Sequence, residues 1–197
     1  MSLRYALLAV IRIGPLSGYD LQKHFSQSVG HVWHAPDSQI YPELRKMEAE
    51  RLIEGENQAR GQRGTRRLYH VTDVGEQAYQ EWMTSPLEYQ RVRDPAHLRA
   101  AYLETTTPDA ARAFLLRHIE QWRGELAQWE GELVQIAAVS NPMLVRRIAT
   151  IDSEVERERA IAFKRFTYEG LVERARGEIA WAQRGLELVD DLYGRVP

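Results

Sequence analysis

Two short stretches carry side chains suited to gripping a polyanion. From Pro36 onward, Ile40, Leu44 and Met47 recur at i, i+4 and i+7, so a helix would bury them on one stripe. Ser38, Tyr41, Pro42, Arg45 and Lys46 then fall on the opposite, polar and basic side. Downstream, Ala59 to Arg67 reads ARGQRGTRR, with four arginines and two glycines, and no carboxylate stands between Asn57 and Thr72. Cations at that density repel one another and call for an anionic neighbour, for which a phosphate backbone is the natural candidate. A solvated hairpin tip would explain an isolated charge run, but it explains less well one beside a helix with a basic face. Arg45, Lys46, Arg63, Arg66 and Arg67 have the chemistry to neutralise phosphates, while the short polar groups of Ser38 and Gln39 suit base edges. Tyr41 suits either a phosphate or the closing of a core.

The elements that position these groups follow from the flanking residues. An interior proline costs a helix about 3 kcal/mol, so Pro42 requires a start close by, with Ser38 or Asp37 as N-cap. Leu52-Ile53-Glu54 and Arg67 to Val71 read as antiparallel strands flanking the basic loop. Before them, Leu3 to Ile13 is almost wholly apolar and is stopped by Gly14-Pro15, which predicts a buried first helix with Arg4 and Arg12 at its exposed edges. Ser17 caps a second helix from Gly18 to about Gln27, burying Tyr19, Leu21 and Phe25, with Lys23 and His24 outward. Residues 26–36 have no sustained period and read as a connection. Thr72 caps a further helix to Met83, with Val74, Ala78, Tyr79 and Trp82 on one stripe. The order α-α-α-β-β-α over residues 1–85 is that of a winged helix-turn-helix.

Residues 86–107 read as a connecting segment with a short helix, and 108–197 as an all-α domain. Asp94-Pro95 and Thr107-Pro108 are cap-plus-proline helix starts. The second opens a run, Ala111, Leu115, His118, Trp122, Leu126, Trp129, Leu133 and Ile136, spaced by threes and fours. Ser140-Asn141-Pro142 breaks it. A last helix then sets Tyr168, Val172, Ala175, Ile179, Ala182, Leu186, Val189 and Tyr193 on a heptad seam that another helix must cover. The helix from Pro108 can do this, and so can a second copy. We expect both, with Val172, Ala175, Ile179, Ala182, Leu186 and Val189 contributing to a homodimer. Trp122 and Trp129, a heptad apart with His118 on the same face and Trp33 and Tyr102 within reach, form a candidate pocket for a flat aromatic effector; a plain core is the competing reading. Asp152 to Arg159 alternates in charge and reads as a solvated helix face.

Composition narrows the classes. The chain has 197 residues, 44% hydrophobic, with a net charge of -2 and a pI near 6.3, so any hold on nucleic acid depends on clustered charge rather than on the total. The lack of cysteine removes disulfides, thiolate catalysis and cysteine-ligated zinc, and makes a cytoplasmic location the economical expectation. The apolar run Ala6 to Ile11 is too short for a signal core, and no stretch is long enough to span a bilayer. His31, His34 and Asp37 supply only part of a zinc site, so neither metal nor cofactor is expected. No nucleophile, base and orienting group stand together, which argues against an enzyme.

Several segments resemble the PadR family of bacterial transcriptional regulators. They are Gly14-Pro15-Leu16-Ser17-Gly18-Tyr19-Asp20-Leu21, Ile40-Tyr41-Pro42-Glu43-Leu44, Met47 to Ile53, Arg66 to Thr72, and Gly75. The likeness is specific over about the first 85 residues. The helical half resembles the longer PadR subfamily more loosely, through Gly170, Trp181 and the heptads. The resemblance implies a mainly α fold, a winged helix-turn-helix followed by an α-helical dimerisation domain. It also implies a homodimer on a two-fold operator in double-stranded DNA, usually repressing, sometimes released by a small molecule. By position, the DNA-facing residues would be Ser38, Gln39, Tyr41, Arg45 and Lys46, then Arg60, Arg63, Thr65, Arg66 and Arg67. Met47 and Arg51 depart from the leucine and glycine more usual in the family, and Arg51 should stiffen the turn it occupies. The alternative is a helical interaction protein that uses the winged portion to bind another protein.

Overall fold

The computed structural model describes residues 3–27, 30, 32, 35–60, 64–87, 89 and 93–194, without the side chains of 26, 27, 37, 60 and 64. Contacts divide the chain into two units, residues 1–88 and 89–197. Among the described residues no helix is long and apolar enough to cross a membrane.

In the first unit, helices α1 (Leu3–Ile11), α2 (Gly18–Gln27), α3 (Asp37–Ala49) and α4 (Asp73–Thr84) surround a three-stranded antiparallel sheet. Its strands are β1 (Leu16–Ser17), β2 (Ile53–Arg60) and β3 (Gly64–Val71), in the order β1-β3-β2. Leu7, Leu8, Leu21, Ile40, Leu44, Met47 and Ile53 are almost wholly buried and form the core on which the elements converge. Both hairpin strands are longer than the sequence suggests, because the ladder runs outward through polar residues to Arg60 opposite Gly64. Strand β1 was not expected: Leu16 pairs with Tyr69 and Ser17 with Leu68. Ser17 still caps α2, its hydroxyl accepting from the Asp20 N–H at 3.2 Å and donating to Asp20 Oδ2 at 2.7 Å. Two apolar assignments are corrected. Tyr19 lies on the outer side of the first turn of α2 and is 69% exposed. Val74 is exposed too, because Gly75 takes the inward position at the start of α4.

Helix α3 ends in a Schellman turn: Leu52 N–H donates to Met47 O and Arg51 N–H to Glu48 O, with Arg51 at φ 60°. Arginine thus occupies a left-handed position that glycine would adopt without strain. Thr72 caps α4, accepting from Gly75 N–H at 3.1 Å and donating to the Arg51 carbonyl at 2.6 Å, which joins the two helix ends. Arg12 ties α1 to α4 through both Glu76 carboxylate oxygens and lies over the Tyr79 ring. Hydrogen bonding from Arg12, then from Gln80, holds the Glu76 carboxyl below the usual range. A carboxylate depressed on folding contributes stability above its unfolded pKa that is lost as pH falls through its folded value. Glu76→Gln should therefore lower the urea midpoint at pH 7, and that difference should shrink in a titration carried below about pH 4, the ordinary glutamate range.

In the second unit, α5 (Pro95–Ala100) and a 3₁₀ turn (Leu103–Thr105) lead into α6 (Pro108–Ala137), followed by α7 (Pro142–Ile148) and α8 (Glu154–Tyr193). Asp94, Thr107, Asn141 and Ser153 cap the four α-helices through side-chain oxygens. Helices α6 and α8 pack along their length around two apolar clusters. One holds Trp129, Ile136, Leu144, Tyr168, Val172 and Ala175, and the other Ala111, Leu115, Ile119, Ala182 and Val189. Helix α6 also closes on a Schellman turn, in which Ser140 N–H reaches Gln135 O and Val139 sits at φ 51°. A β-branched residue there costs about 1–2 kcal/mol, of which glycine's looser unfolded state returns part. Val139→Gly should therefore stabilise this unit by about 1 kcal/mol in denaturant titration.

Candidate nucleic-acid interface

Helix α3 presents Ser38, Gln39, Tyr41, Arg45 and Lys46 outward, while Ile40, Leu44 and Met47 face the core. The expected capping is corrected. Pro36 is the N-cap, with no side-chain bond, and the helix begins at Asp37. Pro42 therefore lies inside the helix, where its missing N–H deprives the Ser38 carbonyl of a donor. That carbonyl lies on the exposed side, where water can replace the donor. Arg45 and Lys46 take part in no side-chain ion pair among the described residues.

The hairpin β2–β3 supplies the second set of cations. Thr65 is exposed at its outer end. Arg63 lies outside the described residues, and so does the side chain of Arg60. Arg66 and Arg67 are committed to the body of the unit. Arg66 meets Asp20 Oδ2 at 3.3 Å, and Arg67 meets Glu48 Oε1 at 2.5 Å and Asn57 Oδ1 at 3.4 Å. Burial raises the Asp20 pKa, but the Ser17 hydroxyl and the charge of Arg66 outweigh it and hold the carboxyl below its usual range. Both arginines stay at least 40% exposed, so their outer edges remain open to an incoming anion.

Gly55 makes the second pair possible. The Arg67 side chain crosses β2 where a Cβ on Gly55 would collide with its guanidinium and come within 2.7 Å of Glu48 Oε1. Glu48 also accepts the Gly55 N–H at 2.9 Å. Sequence reasoning missed Glu48, Gly55 and Asp20. The usable signal was a glycine inside a strand, which marks close approach of another group. Tyr19 was misplaced rather than missed. It lines, with Tyr41, Asp20, Thr65 and Arg66, a groove of about 310 Å³ between the start of α2, α3 and the hairpin. The arrangement is a basic helix face and a basic strand pair around a cleft rimmed by two tyrosines. It can hold phosphates through guanidinium and ammonium groups and offer Ser38 and Gln39 to base edges.

The second unit brings together part of the aromatic set. His118 lies 6.0 Å from Trp122, which meets Trp129 edge-on at 6.3 Å. His118 also approaches Glu178 Oε2 at 3.1 Å. Trp129 is buried in the core. Tyr102 is 60% exposed and touches none of these rings among the described residues. Trp33 lies outside the described residues. Unforeseen members are Trp181 and His97, stacked at 4.1 Å. Of the residues expected at a dimer seam, Val172, Ala175, Ala182 and Val189 are buried against the chain's own α6, with Ile179 and Leu186 half-buried beside them. The seam is thus closed within the chain, because α6 runs beside it for its full length. No group of three or more potential metal ligands occurs among the described residues. His31, His34 and the Asp37 side chain lie outside them.

The model of the Transcriptional regulator PadR-like family matches residues 7–81. The negative transcriptional regulator PadR of Bacillus subtilis (strain 168) is 30% identical over 143 residues, covering 72% of this chain and 78% of that protein. The crystal structure of Bacillus subtilis PadR in complex with operator DNA superposes with a TM-score of 0.76 at 25% identity, over 95% of this chain and 99% of that one. That of the same protein with p-coumaric acid gives 0.70 at 25% identity, over 95% of each chain. These relatives are transcriptional regulators, not enzymes. With a winged helix whose motifs the family model matches and a relative aligned over more than two thirds of both chains, this chain belongs to the PadR-like family of transcriptional regulators.

Proposed function

We propose that the chain is a cytoplasmic repressor that binds a two-fold operator in double-stranded DNA as a homodimer and is released by a small aromatic effector. The observation that carries the DNA reading is the outward row Ser38, Gln39, Tyr41, Arg45 and Lys46 on α3 beside the cationic hairpin. Thr65, Arg66 and Arg67 extend that contact along the hairpin, and the charges of Arg60 and Arg63 add to it by their place in the sequence. The operator complex of Bacillus subtilis PadR and the name negative regulator given to that relative support both DNA and repression. Its complex with p-coumaric acid supports an aromatic effector.

A dimer supplies two such surfaces to two half-sites, the usual remedy for the small contact a single winged helix makes. Because the heptad seam is occupied by α6, we place a second copy on another face of α8. Phe163 and Phe166 are 69% and 70% exposed there, a large apolar area to leave in water. Mobility shifts with the DNA beside the chain's own gene test the DNA reading, and equal retardation of unrelated duplexes would defeat it. Sedimentation at micromolar concentration tests the assembly, which a clean monomer would remove.

A further inference from the structure

The second unit holds a groove that the DNA reading does not use. It lies between the end of α8, the start of α6 and the 3₁₀ turn, and has a volume of about 420 Å³. That lies within the range of small-molecule sites, roughly 300–1,000 Å³. Its walls are mainly hydrocarbon: Leu103, Leu115, Leu188 and Leu192. Trp181 completes them, and its ring is fixed by His97 stacked at 4.1 Å and by His118 edge-on at 5.2 Å. Leu188 and Leu192 remain 57% and 67% exposed, so the groove leaves apolar surface in contact with water.

Two charged side chains of opposite sign, Arg184 and Glu104, line the same groove. Neither has a side-chain hydrogen bond or ion pair among the described residues, with each other or with any third group. Their neighbours are committed elsewhere. Arg112 is held by Asp109, Asp190 and the Gly194 carbonyl, His97 by Asp94, and Glu178 by His118. An uncommitted cation and an uncommitted anion thus face one apolar cleft.

We infer that this groove binds a small amphiphile with an apolar body and a head carrying both a carboxylate and an ammonium group, of which a hydrophobic α-amino acid is the simplest. The carboxylate meets the Arg184 guanidinium, the ammonium meets Glu104, and the side chain lies on the leucines and Trp181. A ligand of single charge matches one of the two groups and is repelled by the other, so selection against it is built into the pair. Leu103 and Glu104 belong to the 3₁₀ turn and Arg184 and Leu188 to α8, so the ligand clamps these two elements together. The groove is lined by residues of the second unit alone, and its test does not depend on DNA binding.

Calorimetric titration of the full chain with L-phenylalanine, L-leucine and L-tryptophan decides it, alongside 3-phenylpropanoate, which lacks the ammonium, and 2-phenylethylamine, which lacks the carboxylate. At least one amino acid should bind, and L-phenylalanine at least about tenfold more tightly than either singly charged analogue. Arg184→Gln and Glu104→Gln, both at exposed positions, should each weaken the amino acid about tenfold while leaving the thermal midpoint unchanged. Analogues that bind as well as the amino acid overturn the inference, as do variants that bind like the parent chain. A silent titration with all three amino acids overturns it as well, including the case in which a second copy covers the groove.

Discussion

Gly75→Ala is expected to destabilise the winged unit by on the order of 3 kcal/mol, a large share of the 5–15 kcal/mol that holds a typical domain together. The methyl group would enter the Leu52 carbonyl oxygen, 2.9 Å from its carbon and 3.2 Å from Val71 Cγ1. Two of those three atoms are backbone, and the carbonyl is already bonded to Thr72 N–H at 3.2 Å, so nothing can rotate aside. Alanine's better helix propensity returns only about 1 kcal/mol, so the collision decides the sign. Gly18→Ala is the informative contrast. There the new methyl meets Tyr41 Cε1 at 2.6 Å, the far end of an exposed side chain that can swing away. Urea titrations of the two variants should therefore separate widely, Gly75→Ala shifting far and Gly18→Ala little. Equal midpoints would show that α4 does not lie so closely on the turn after α3.

Arg45→Ala combined with Lys46→Ala is expected to flatten the slope of log K for operator against log salt by about two units, since each phosphate contact contributes about 0.9. These two cations take part in no ion pair among the described residues, so their removal subtracts phosphate contacts and little else. Arg66 and Arg67 differ. Each already neutralises a carboxylate, Asp20 or Glu48, so a phosphate that reaches its open edge shares the guanidinium charge with a protein partner. Their alanine variants should change the slope by less than one unit apiece and should also loosen the hairpin, which the thermal midpoint would report. Titrations at several salt concentrations check both parts. An unchanged slope in the Arg45/Lys46 variant would take α3 off the duplex.

The contrast between these pairs shows where sequence stops being informative. The stretch from Asn57 to Thr72 has no carboxylate, which reads as a free cationic loop, yet Asp20 and Glu48 reach it from α2 and α3. A local charge count cannot see partners brought in by tertiary folding. Helical periods were legible in α3, α6 and α8 because each buries a continuous stripe. The same heptads could not say which helix covers the seam, since α6 and a second copy offer the same apolar surface. Strand β1 has two residues and therefore no period to detect. Tyr19 was placed inside, but it stands two residues before Leu21 and six before Phe25, which puts it on the side of α2 opposite to those two buried residues. Pro42 shows the reverse error, because the rule against interior prolines is a cost that an exposed carbonyl can offset through water.

Ser17 has a consequence for how the unit would meet a ligand as long as a duplex. One residue both pairs with Leu68 in β3 and caps α2, while Asp20 in that first turn holds Arg66 and Glu48 in α3 holds Arg67. The hairpin strands and the two helices are therefore stitched into one preorganised tool before any partner arrives. The loss of conformational freedom falls on folding rather than on docking, so less of the binding energy goes into ordering the protein.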